Sequence, residues 1–439
     1  MIANRERVAT TGARDVALAC IEAGIEAGQP RRVVREAVSL DGDTLHVAET
    51  TIDLSKYDEV AVLGGGNAAA HVAAALESVL GDRIDRGVVV TDDPVETECV
   101  SVLEGDHPVP SERGVESTRE LLAAADAATD RTLVLAAITG GGSALMPAPA
   151  GDVSLEALQR TTTALLESGA DIHEINAVRK HCSALKGGRL ARRATPATVV
   201  SLVLSDVVGN DLSAIASGPL AADESTFADA LAVLERYAVA VPDAVRTHLE
   251  RGAVGDRPET PGPDDPVFEN ISNHVIADGT TVLEAARDAA AKRGYDPLVL
   301  SSRVRGEARE AAMTHVAIAE EVLATGTPVS PPAVLLSGGE TTVTVTGDGT
   351  GGPNQEFATS AALELERGIT VAAVDTDGID GATDAAGAIV DEAAVEDEAT
   401  ARAALEANDV YPFLEDRDSL VVTGPSGTNL NDLRILVVE

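Results

Sequence analysis

Short apolar runs alternate with helix-patterned segments along most of this chain of 439 residues. In the first half the runs are rich in β-branched residues, nearly continuous, and end in Gly or Asp; they lie at 58–64, 86–93, 132–140 and 197–206. Continuous apolar runs of this length are typical of strands buried on both faces of a parallel sheet. Their alternation with helical patterns, the first at 13–28, predicts an α/β fold.

A stretch rich in Gly, Pro and acidic residues interrupts the pattern at 251–267. It has no periodicity, so we place the main domain boundary there. Apolar runs then resume, and each closes on Gly, Ser, Asp or Asn; they read SNHVIADG, DPLVLSS, PPAVLLSGGE, ITVAAVDTDG and SLVVTGPSGTN. We therefore predict two Rossmann-like α/β domains with mostly parallel sheets, at 1–255 and 268–439.

The chain is strongly acidic, with 72 Asp plus Glu against 33 Lys plus Arg and a formal net charge of -39. Such a field repels polyanions, which argues against nucleic acid and anionic membrane surfaces as partners. The chain has four lysines and no Trp, yet its hydrophobic content is an ordinary 44%. This composition is typical of a folded protein adapted to concentrated salt, which screens repulsion between surface carboxylates.

Targeting signals and cysteine usage bear on the compartment. The first fifteen residues lack the apolar core of a signal peptide, and no apolar run approaches the length of a membrane span. The three cysteines include no C-x-x-C pair, which fits a reducing environment. We expect a cytoplasmic protein.

Two glycine-rich loops follow predicted strands. In open α/β sheets ligands bind beyond the carboxyl ends of the strands, and glycines let the backbone approach a phosphate. The loop residues predicted to bind a cofactor phosphate are Gly64, Gly65, Gly66, Asn67, Gly140, Gly141, Gly142 and Ser143. The alternative is that these glycines only allow the tight turns that connect each strand to the helix packed on it.

The first loop also supports a rival function. Gly64, Gly66 and Ala69 satisfy the dinucleotide fingerprint G-x-G-x-x-G/A, and Asp92 or Asp93 ends the next strand as a candidate ribose partner. The same residues therefore suggest a nicotinamide-dependent oxidoreductase. The fingerprint alone is a weak signal.

A basic segment at 176–189 is the most informative part of the chain. It holds Arg179, Lys180, Lys186 and Arg189 without a single acidic residue. Since the chain has discarded lysine almost everywhere else, these charges indicate a site for phosphate or carboxylate. A basic helix that pairs with acidic neighbours is the alternative.

Acidic and polar residues follow other predicted strands. Asp206 closes the run at 197–206, and Asp375 and Asp377 follow ITVAAV, where Mg²⁺ or ribose binding is expected. Amides and hydroxyls suited to a polar ligand occur at Ser337, Gly338, Gly339, Glu340, Asn354, Thr428 and Asn429. Singly, each of these clusters is more often turn chemistry.

Several long motifs resemble the type II glycerate kinases. In the first half they read GDHPVPSERG, TGGGSALM, NAVRKHCSALKGGRL and LSDVVGNDLSAIASGP. In the second half SGGETTVTVTG, GGPNQEFA, DTDGIDGATDAAGAIVD and GPSGTNLNDL are similar to that family's MOFRL domain. The resemblance implies ATP and D-glycerate in a cleft between two α/β domains, dependence on Mg²⁺, and 2-phosphoglycerate as product. It leaves assembly as a homodimer open.

Two residues depart from the family pattern. The family often has Lys where this chain has Asn67, and Arg where it has Pro353. Because phosphoryl transfer depends on positioning and charge stabilisation, other cations must replace them, and we expect Arg179, Lys180, Lys186 and Arg189 to do so. The alternatives are NAD(P)H-dependent reduction of hydroxypyruvate and a silent protein that binds nucleotide or glycerate without turnover.

The charge pattern predicts a salt-dependent stability. Lowering KCl from molar to millimolar concentration should lower the melting temperature, because unscreened surface carboxylates repel one another. Thermal melts followed by circular dichroism across that range measure the effect. An unchanged midpoint would remove the salt-adapted interpretation.

Overall fold

The computed structural model describes residues 1–395 and 397–439. The helices are α1 (Arg5–Val8), α2 (Gly12–Ala27), α3 (Pro30–Ala37), α4 (Ala69–Leu80), α5 (Glu112–Asp126), α6 (Gly142–Leu145), α7 (Leu155–Leu166), α8 (Ile172–His181), α9 (Arg189–Ala194), α10 (Phe227–Arg236), α11 (Asp243–Ala253), α12 (Gly279–Lys292), α13 (Ala308–Thr325), α14 (Pro353–Ala362), α15 (Glu398–Glu406) and α16 (Val410–Glu415). The strands are β1 (Val38–Asp41), β2 (Thr44–Val47), β3 (Thr50–Asp53), β4 (Glu59–Gly65), β5 (Arg86–Thr91), β6 (Val100–Glu104), β7 (Thr132–Ile138), β8 (Thr198–Leu204), β9 (Ile271–Ala277), β10 (Asp296–Glu307), β11 (Ala333–Thr342), β12 (Ile369–Asp375), β13 (Gly387–Val390), β14 (Leu420–Val421) and β15 (Asp432–Val438).

The chain forms two compact units that we call the first and the second unit. The first comprises Val33–Ile276, and the second joins Met1–Arg32 to Ala277–Glu439. This division differs from the predicted segments in two ways. Helices α1 and α2 belong to the second unit, and the run SNHVIADG, which the sequence pattern places in the second half, contributes to β9 beside β8 in the first unit's sheet. The boundary therefore follows β9, because hydrogen bonding to β8 keeps this strand with the first unit.

The first unit is built on a six-stranded sheet with the order β6-β5-β4-β7-β8-β9. The pairings of β5 with β6, β4 with β5, β4 with β7 and β7 with β8 are parallel. All seven residues of β7 are buried, as its continuous apolar sequence predicts. The four strands predicted in this half are thus confirmed as β4, β5, β7 and β8.

A helical layer in the first unit adds a second core. Residues of α7, α8, α10 and α11 pack together around Leu158, Val178, Phe227 and Leu249. A separate three-stranded antiparallel sheet, β1-β2-β3, lies near the start of the unit. The helical layer matters for function because α7 and α8 carry side chains that face the cavity described below.

The second unit has a mixed sheet with the order β10-β11-β15-β12-β13-β14. β10 and β11 are parallel, whereas β15 runs antiparallel to both β11 and β12, and β13 is antiparallel to β12 and β14. The α/β class is confirmed, but the prediction of mostly parallel sheets holds for the first unit alone. The cause is the direction of two strands, β15 between β11 and β12, and β13 between β12 and β14.

Helix α2 confirms the helix predicted at 13–28 and packs into the second unit. A Cβ placed on Gly24 would lie 2.8 Å from Cγ1 of Val282 in α12 and 3.0 Å from Cδ2 of Leu433 in β15. Gly24 is therefore the point of close approach between the helices. Among the described residues, no helix is both long and apolar enough to cross a membrane.

Adding a side chain at this close approach should destabilise the second unit. We expect Gly24→Val to lower the free energy of unfolding by about 1–3 kcal/mol, because Val282 and Leu433 must move aside. Denaturant unfolding in high salt measures the change. Gly12→Ala, at a position of α2 where a Cβ meets nothing within 4 Å, is the matched control and should not destabilise. Equal losses in both variants would contradict this packing.

Candidate functional site

A cavity of about 280 Å³ lies in the first unit beside the loops that follow β7 and β8. Helices α7 and α8 and the turn at 215–217 complete its wall. The polar side chains that line it are His107, Ser143, Thr162, Arg179, Ser183, Lys186 and Asp206. Three of the predicted site residues with charged side chains, Arg179, Lys186 and Asp206, thus face one cavity.

Two cations face this cavity without a carboxylate partner among the described residues. Lys186 is 4% exposed, and its Nζ donates to the backbone oxygen of Met146 at 3.1 Å. Burial, and secondly the neighbouring Arg179, lowers the pKa of Lys186 to about 7. Burial also lowers the pKa of Arg179. A site that destabilises its own positive charges favours an anionic ligand.

The other two members of the predicted basic group lie elsewhere. Lys180 is buried, and its Nζ contacts Oδ1 of Asp223 at 3.1 Å, so its charge is already neutralised. Arg189 does not line the cavity; burial lowers its pKa, while Glu259 and Asp223 raise it. The structure therefore separates the group into a cavity pair and two outlying residues.

Asp206 lies two residues after the end of β8 and lines the cavity. Burial raises the pKa of Asp206 to about 6. Its carboxylate packs against Gly140, since a Cβ on Gly140 would lie 2.1 Å from Oδ2 of Asp206. Gly140 is thus needed to make room for the acid.

The first glycine loop is already hydrogen-bonded within the unit. The amides of Gly66, Asn67, Ala68 and Ala69 donate to Val90 O, Gly140 O, Thr139 Oγ1 and Gly66 O, respectively. A Cβ on Gly64 would lie 1.9 Å from the carbonyl oxygen of Ala137, so β7 itself demands this glycine. The loop amides at 66–69 are therefore occupied, and the predicted phosphate cradle is not apparent there.

The second glycine loop differs. Among the described residues, the backbone amides at 140–143 have no hydrogen-bond acceptor. Gly141 has φ +72, and Asn67 packs against it so closely that a Cβ there would lie 1.9 Å from Oδ1 of Asn67. The first loop thus supports the second, and the second carries the unpaired donors.

Asn67 holds a position where the resembling family often has Lys. Its Nδ2 donates to both carboxylate oxygens of Asp92, at 2.9 and 2.8 Å. Asp93 contacts Nε2 of His71 at 2.8 Å. Both acids that we considered as ribose partners are therefore engaged by neighbouring side chains.

In the second unit the predicted metal residues belong to a group of carboxylates. Burial, followed by the charges of Asp377, Asp432 and Asp380, raises the pKa of Asp375 well above its usual value. Burial and, among its charged neighbours, Asp432 raise the pKa of Asp380 to about 7, against the lowering effect of hydrogen bonds from Asn354 and Gln355. A bound cation would relieve this repulsion.

The predicted polar residues of the second unit have mixed surroundings. Ser337 is buried with its Oγ 2.7 Å from Nε2 of His315. Asn354 is buried and donates from Nδ2 to Asp432 at 2.6 Å. Thr428 donates to the carbonyl oxygen of Gly28 at 2.7 Å. The remaining predicted residues are Gly338 and Gly339 in β11, Glu340, which is exposed, and Asn429, which is partly buried.

A magnesium site can be tested against these residues. No group of three or more His, Cys, Asp or Glu within 1–395 and 397–439 has an arrangement that could hold a metal ion. Mg²⁺ in phosphoryl-transfer sites is commonly bound by one or two carboxylates together with substrate phosphates and water. A single carboxylate such as Asp206, next to unpaired amides, fits that pattern.

Sequence reasoning missed three contributors to the first unit's site. Ser217 and Asn176 form hydrogen bonds behind Ser143, and Met146 supplies the carbonyl oxygen that holds Lys186. Asn176 stands in the motif quoted for the family resemblance, which is the signal that could have found it. Ser217 and Met146 also stand in motifs quoted for the resemblance, LSDVVGNDLSAIASGP and TGGGSALM, but their contacts with Ser143 and Lys186 arise only in the folded chain.

Family models match both parts of the chain. The domain of unknown function DUF4147 matches residues 16–250, and the MOFRL family matches residues 333–432. The first match reaches back into the N-terminal residues that fold with the second unit.

Curated relatives and a solved structure agree with these models. The glycerate 2-kinase of Pyrococcus horikoshii is 39% identical over 97% of both chains. A protein of Agrobacterium vitis with the provisional name hydroxypyruvate reductase is 42% identical over 86% of each chain. The crystal structure of a glycerate kinase from Thermotoga maritima has a TM-score of 0.82 and 39% identity, and the match covers 97% of this chain and 99% of that one. The chain therefore belongs to the type II glycerate kinase family, with a DUF4147 region and a MOFRL region.

Proposed function

We propose that this protein transfers the terminal phosphoryl group of ATP to D-glycerate, with 2-phosphoglycerate as the product. One observation carries the proposal: Lys186, which is buried, and Arg179, which is half-buried, face one cavity without a carboxylate partner among the described residues. Glycerate and the transferring phosphoryl group are both anions, and phosphoryl transfer is catalysed chiefly by positioning and by charge stabilisation. Membership of the family supports the same function.

The cavity offers a role for each group. The unpaired amides at 140–143 donate to phosphate oxygens, and the Arg179 guanidinium and the Lys186 ammonium bind the glycerate carboxylate and the phosphoryl group. In the reaction the bond from the γ-phosphorus to the bridging oxygen of ATP breaks, and a bond from that phosphorus to the glycerate hydroxyl oxygen forms. The hydroxyl proton passes to an oxygen of the transferred phosphoryl group or to water.

Mg²⁺ belongs to the proposal as well. Asp206 in the first unit, and Asp375 and Asp377 in the second, are each proposed as magnesium ligands. When bound, the ion supplies positive charge that neutralises the phosphate oxygens. Nucleotide contacts by the second unit, the interdomain cleft, the cytoplasmic location and a homodimer stay predictions.

The structure gives less support to nicotinamide binding. The fingerprint glycines Gly64 and Gly66 are explained by packing, since a Cβ on Gly66 would lie 2.1 Å from Oγ1 of Thr139 and one on Gly64 would meet β7. The candidate ribose acid Asp92 is held by Asn67.

A single set of assays separates the three functions. Purified protein in high salt is incubated with D-glycerate, ATP and MgCl₂, and ADP and phosphoglycerate are measured; a parallel sample receives hydroxypyruvate and NAD(P)H. We expect ADP formation that depends on glycerate. NAD(P)H oxidation without ADP would select the reductase, and binding of ATP or glycerate without any product would select the silent binding protein.

Neutralising either cavity cation should abolish most of the activity. We expect Lys186→Met and Arg179→Met to lower kcat/KM for D-glycerate by about 10²–10³-fold, the usual loss when a charge-stabilising donor is removed. Lys186→Met should also raise the melting temperature at neutral pH, because it removes a desolvated cation. Lys56→Met is the matched control, since Lys56 is an exposed lysine of the same unit. Activities equal to that of the control would contradict the site.

The lowered pKa of Lys186 predicts an alkaline limb in the pH profile. Below pH 7 the side chain is a cation, and above about pH 7 it loses its proton, so kcat/KM should fall as pH rises through that value. Arg179, Asp206 and His107 face the same cavity. In Lys186→Arg the charge persists at high pH, and any remaining activity should lack this limb. The same limb in both proteins would assign the titration to another group.

A further inference from the structure

A hydrogen-bonded chain of side chains leads from the cavity into the interior of the first unit. Ser143 lines the cavity, and its Oγ lies 2.9 Å from Oγ of Ser217. Ser217 is 1% exposed, and its Oγ donates to Oδ1 of Asn176 at 2.9 Å. Asn176 is 2% exposed. We call Ser143, Ser217 and Asn176 the serine relay. Ser143 faces the cavity, and the other two residues are buried.

The relay fixes the direction of the Ser143 proton. A serine hydroxyl has one proton to donate and two lone pairs that accept, whereas the oxygen of a carboxamide can only accept. Ser217 gives its proton to Asn176, so the bond between the two serines uses the proton of Ser143. The oxygen of Ser143 therefore presents lone pairs to the cavity.

The backbone holds Ser217 in an unusual conformation. Ala216 and Ser217 have φ of +51 and +61, in the left-handed region that residues with a Cβ rarely adopt. The carbonyl oxygens of Ser217 and Gly218 accept hydrogen bonds from Gly187 and Gly188, at 3.0 and 2.7 Å. The turn that carries Lys186 is thus tied to the segment that positions Ser217.

We propose that Ser143 binds the acceptor hydroxyl of the substrate, and that Ser217 and Asn176 are positioning residues that set its polarity. The inference rests on the proposed kinase function. An oxygen that presents lone pairs accepts a hydrogen bond from an alcohol and repels a phosphate oxygen. The backbone amide of Ser143 remains available to phosphate, whereas its side chain selects the hydroxyl that will be phosphorylated.

Removing the buried serine should therefore change two constants in opposite directions. In Ser217→Ala the proton of Ser143 is released to the cavity, so the hydroxyl can donate to an anion. We expect KM for D-glycerate to rise about two- to tenfold, the usual effect of one hydrogen bond. The inhibition constant of inorganic phosphate against glycerate should fall several-fold. A loss of structure alone would weaken both.

Two further variants keep the inference testable. Asn176→Leu removes the terminal acceptor and should reproduce both shifts, which covers the case that Ser217→Ala does not fold. Ser143→Ala should raise KM without tightening phosphate inhibition. Ser117→Ala is the control: this buried serine of α5 donates to the carbonyl oxygen of Glu104 at 2.7 Å and does not line the cavity, so neither constant should move.

The outcomes separate this inference from the proposed function. Unchanged constants in Ser217→Ala and Asn176→Leu, or a parallel weakening of glycerate and phosphate, would overturn the relay. A wild-type protein without glycerate-dependent ADP formation would overturn the kinase proposal instead. In that case calorimetric titration of inorganic phosphate still decides the relay, because tighter binding to Ser217→Ala than to the wild type supports the assigned direction and equal or weaker binding refutes it.

Discussion

Desolvation of two positive charges at one cavity is the constraint on which the first unit's site depends. Lys186 and Arg179 both lose hydration there, and a carbonyl oxygen rather than a carboxylate holds the lysine. Such an arrangement opposes folding, and the surrounding core must offset it; the helical layer around Phe227 provides part of that packing. An anionic ligand supplies the negative charge that the protein does not place beside these cations. The free energy spent on desolvating the cations is thereby offset, and their attraction to the ligand favours binding. Lys180 differs, because its contact with Asp223 already neutralises its charge and leaves no comparable attraction for an anionic ligand.

The two glycine loops show how similar sequences acquire different roles. Both follow buried strands of one sheet, and both contain three consecutive glycines. In the first loop the glycines permit close packing on β7. Hydrogen bonds to β5 and to residues 139 and 140 occupy the amides at 66–68, and the amide of Ala69 donates to Gly66 O. In the second loop the amides at 140–143 stay unpaired among the described residues. The first loop thus acts as a support that shapes the second, a distinction that depends on contacts between strands far apart in sequence.

Much of the fold could be predicted from apolar runs, because buried parallel strands need continuous hydrophobic sequence. The mixed character of the second sheet escaped prediction, because β13 and β15 run antiparallel to their neighbours and an apolar run carries no information about strand direction. In the site, the acidic and glycine-rich strand ends were accessible to sequence reasoning. The sequence could also have shown that Arg179 and Lys180 have different surroundings. Both lie on α8, and consecutive residues of a helix do not share a face. The contact of Lys180 with Asp223 and the contact of Ser143 with Ser217 could not be predicted, because tertiary folding brings these residues together.

The burial of Lys186 and the partial burial of Arg179 also bear on the two departures from the family pattern. Asn67 and Pro353 occupy positions where the family often has Lys and Arg; here Asn67 is bound to Asp92, and Pro353 begins α14, where a missing amide proton is tolerated. In concentrated salt, attraction between solvent-exposed charges is screened within a few ångströms, whereas buried charges are screened much less. A chain that works at high ionic strength gains little from an exposed cation and retains the strength of a buried one. The predicted adaptation to concentrated salt is therefore compatible with a shielded cationic pair, because salt screens charges at the surface and screens buried charges much less.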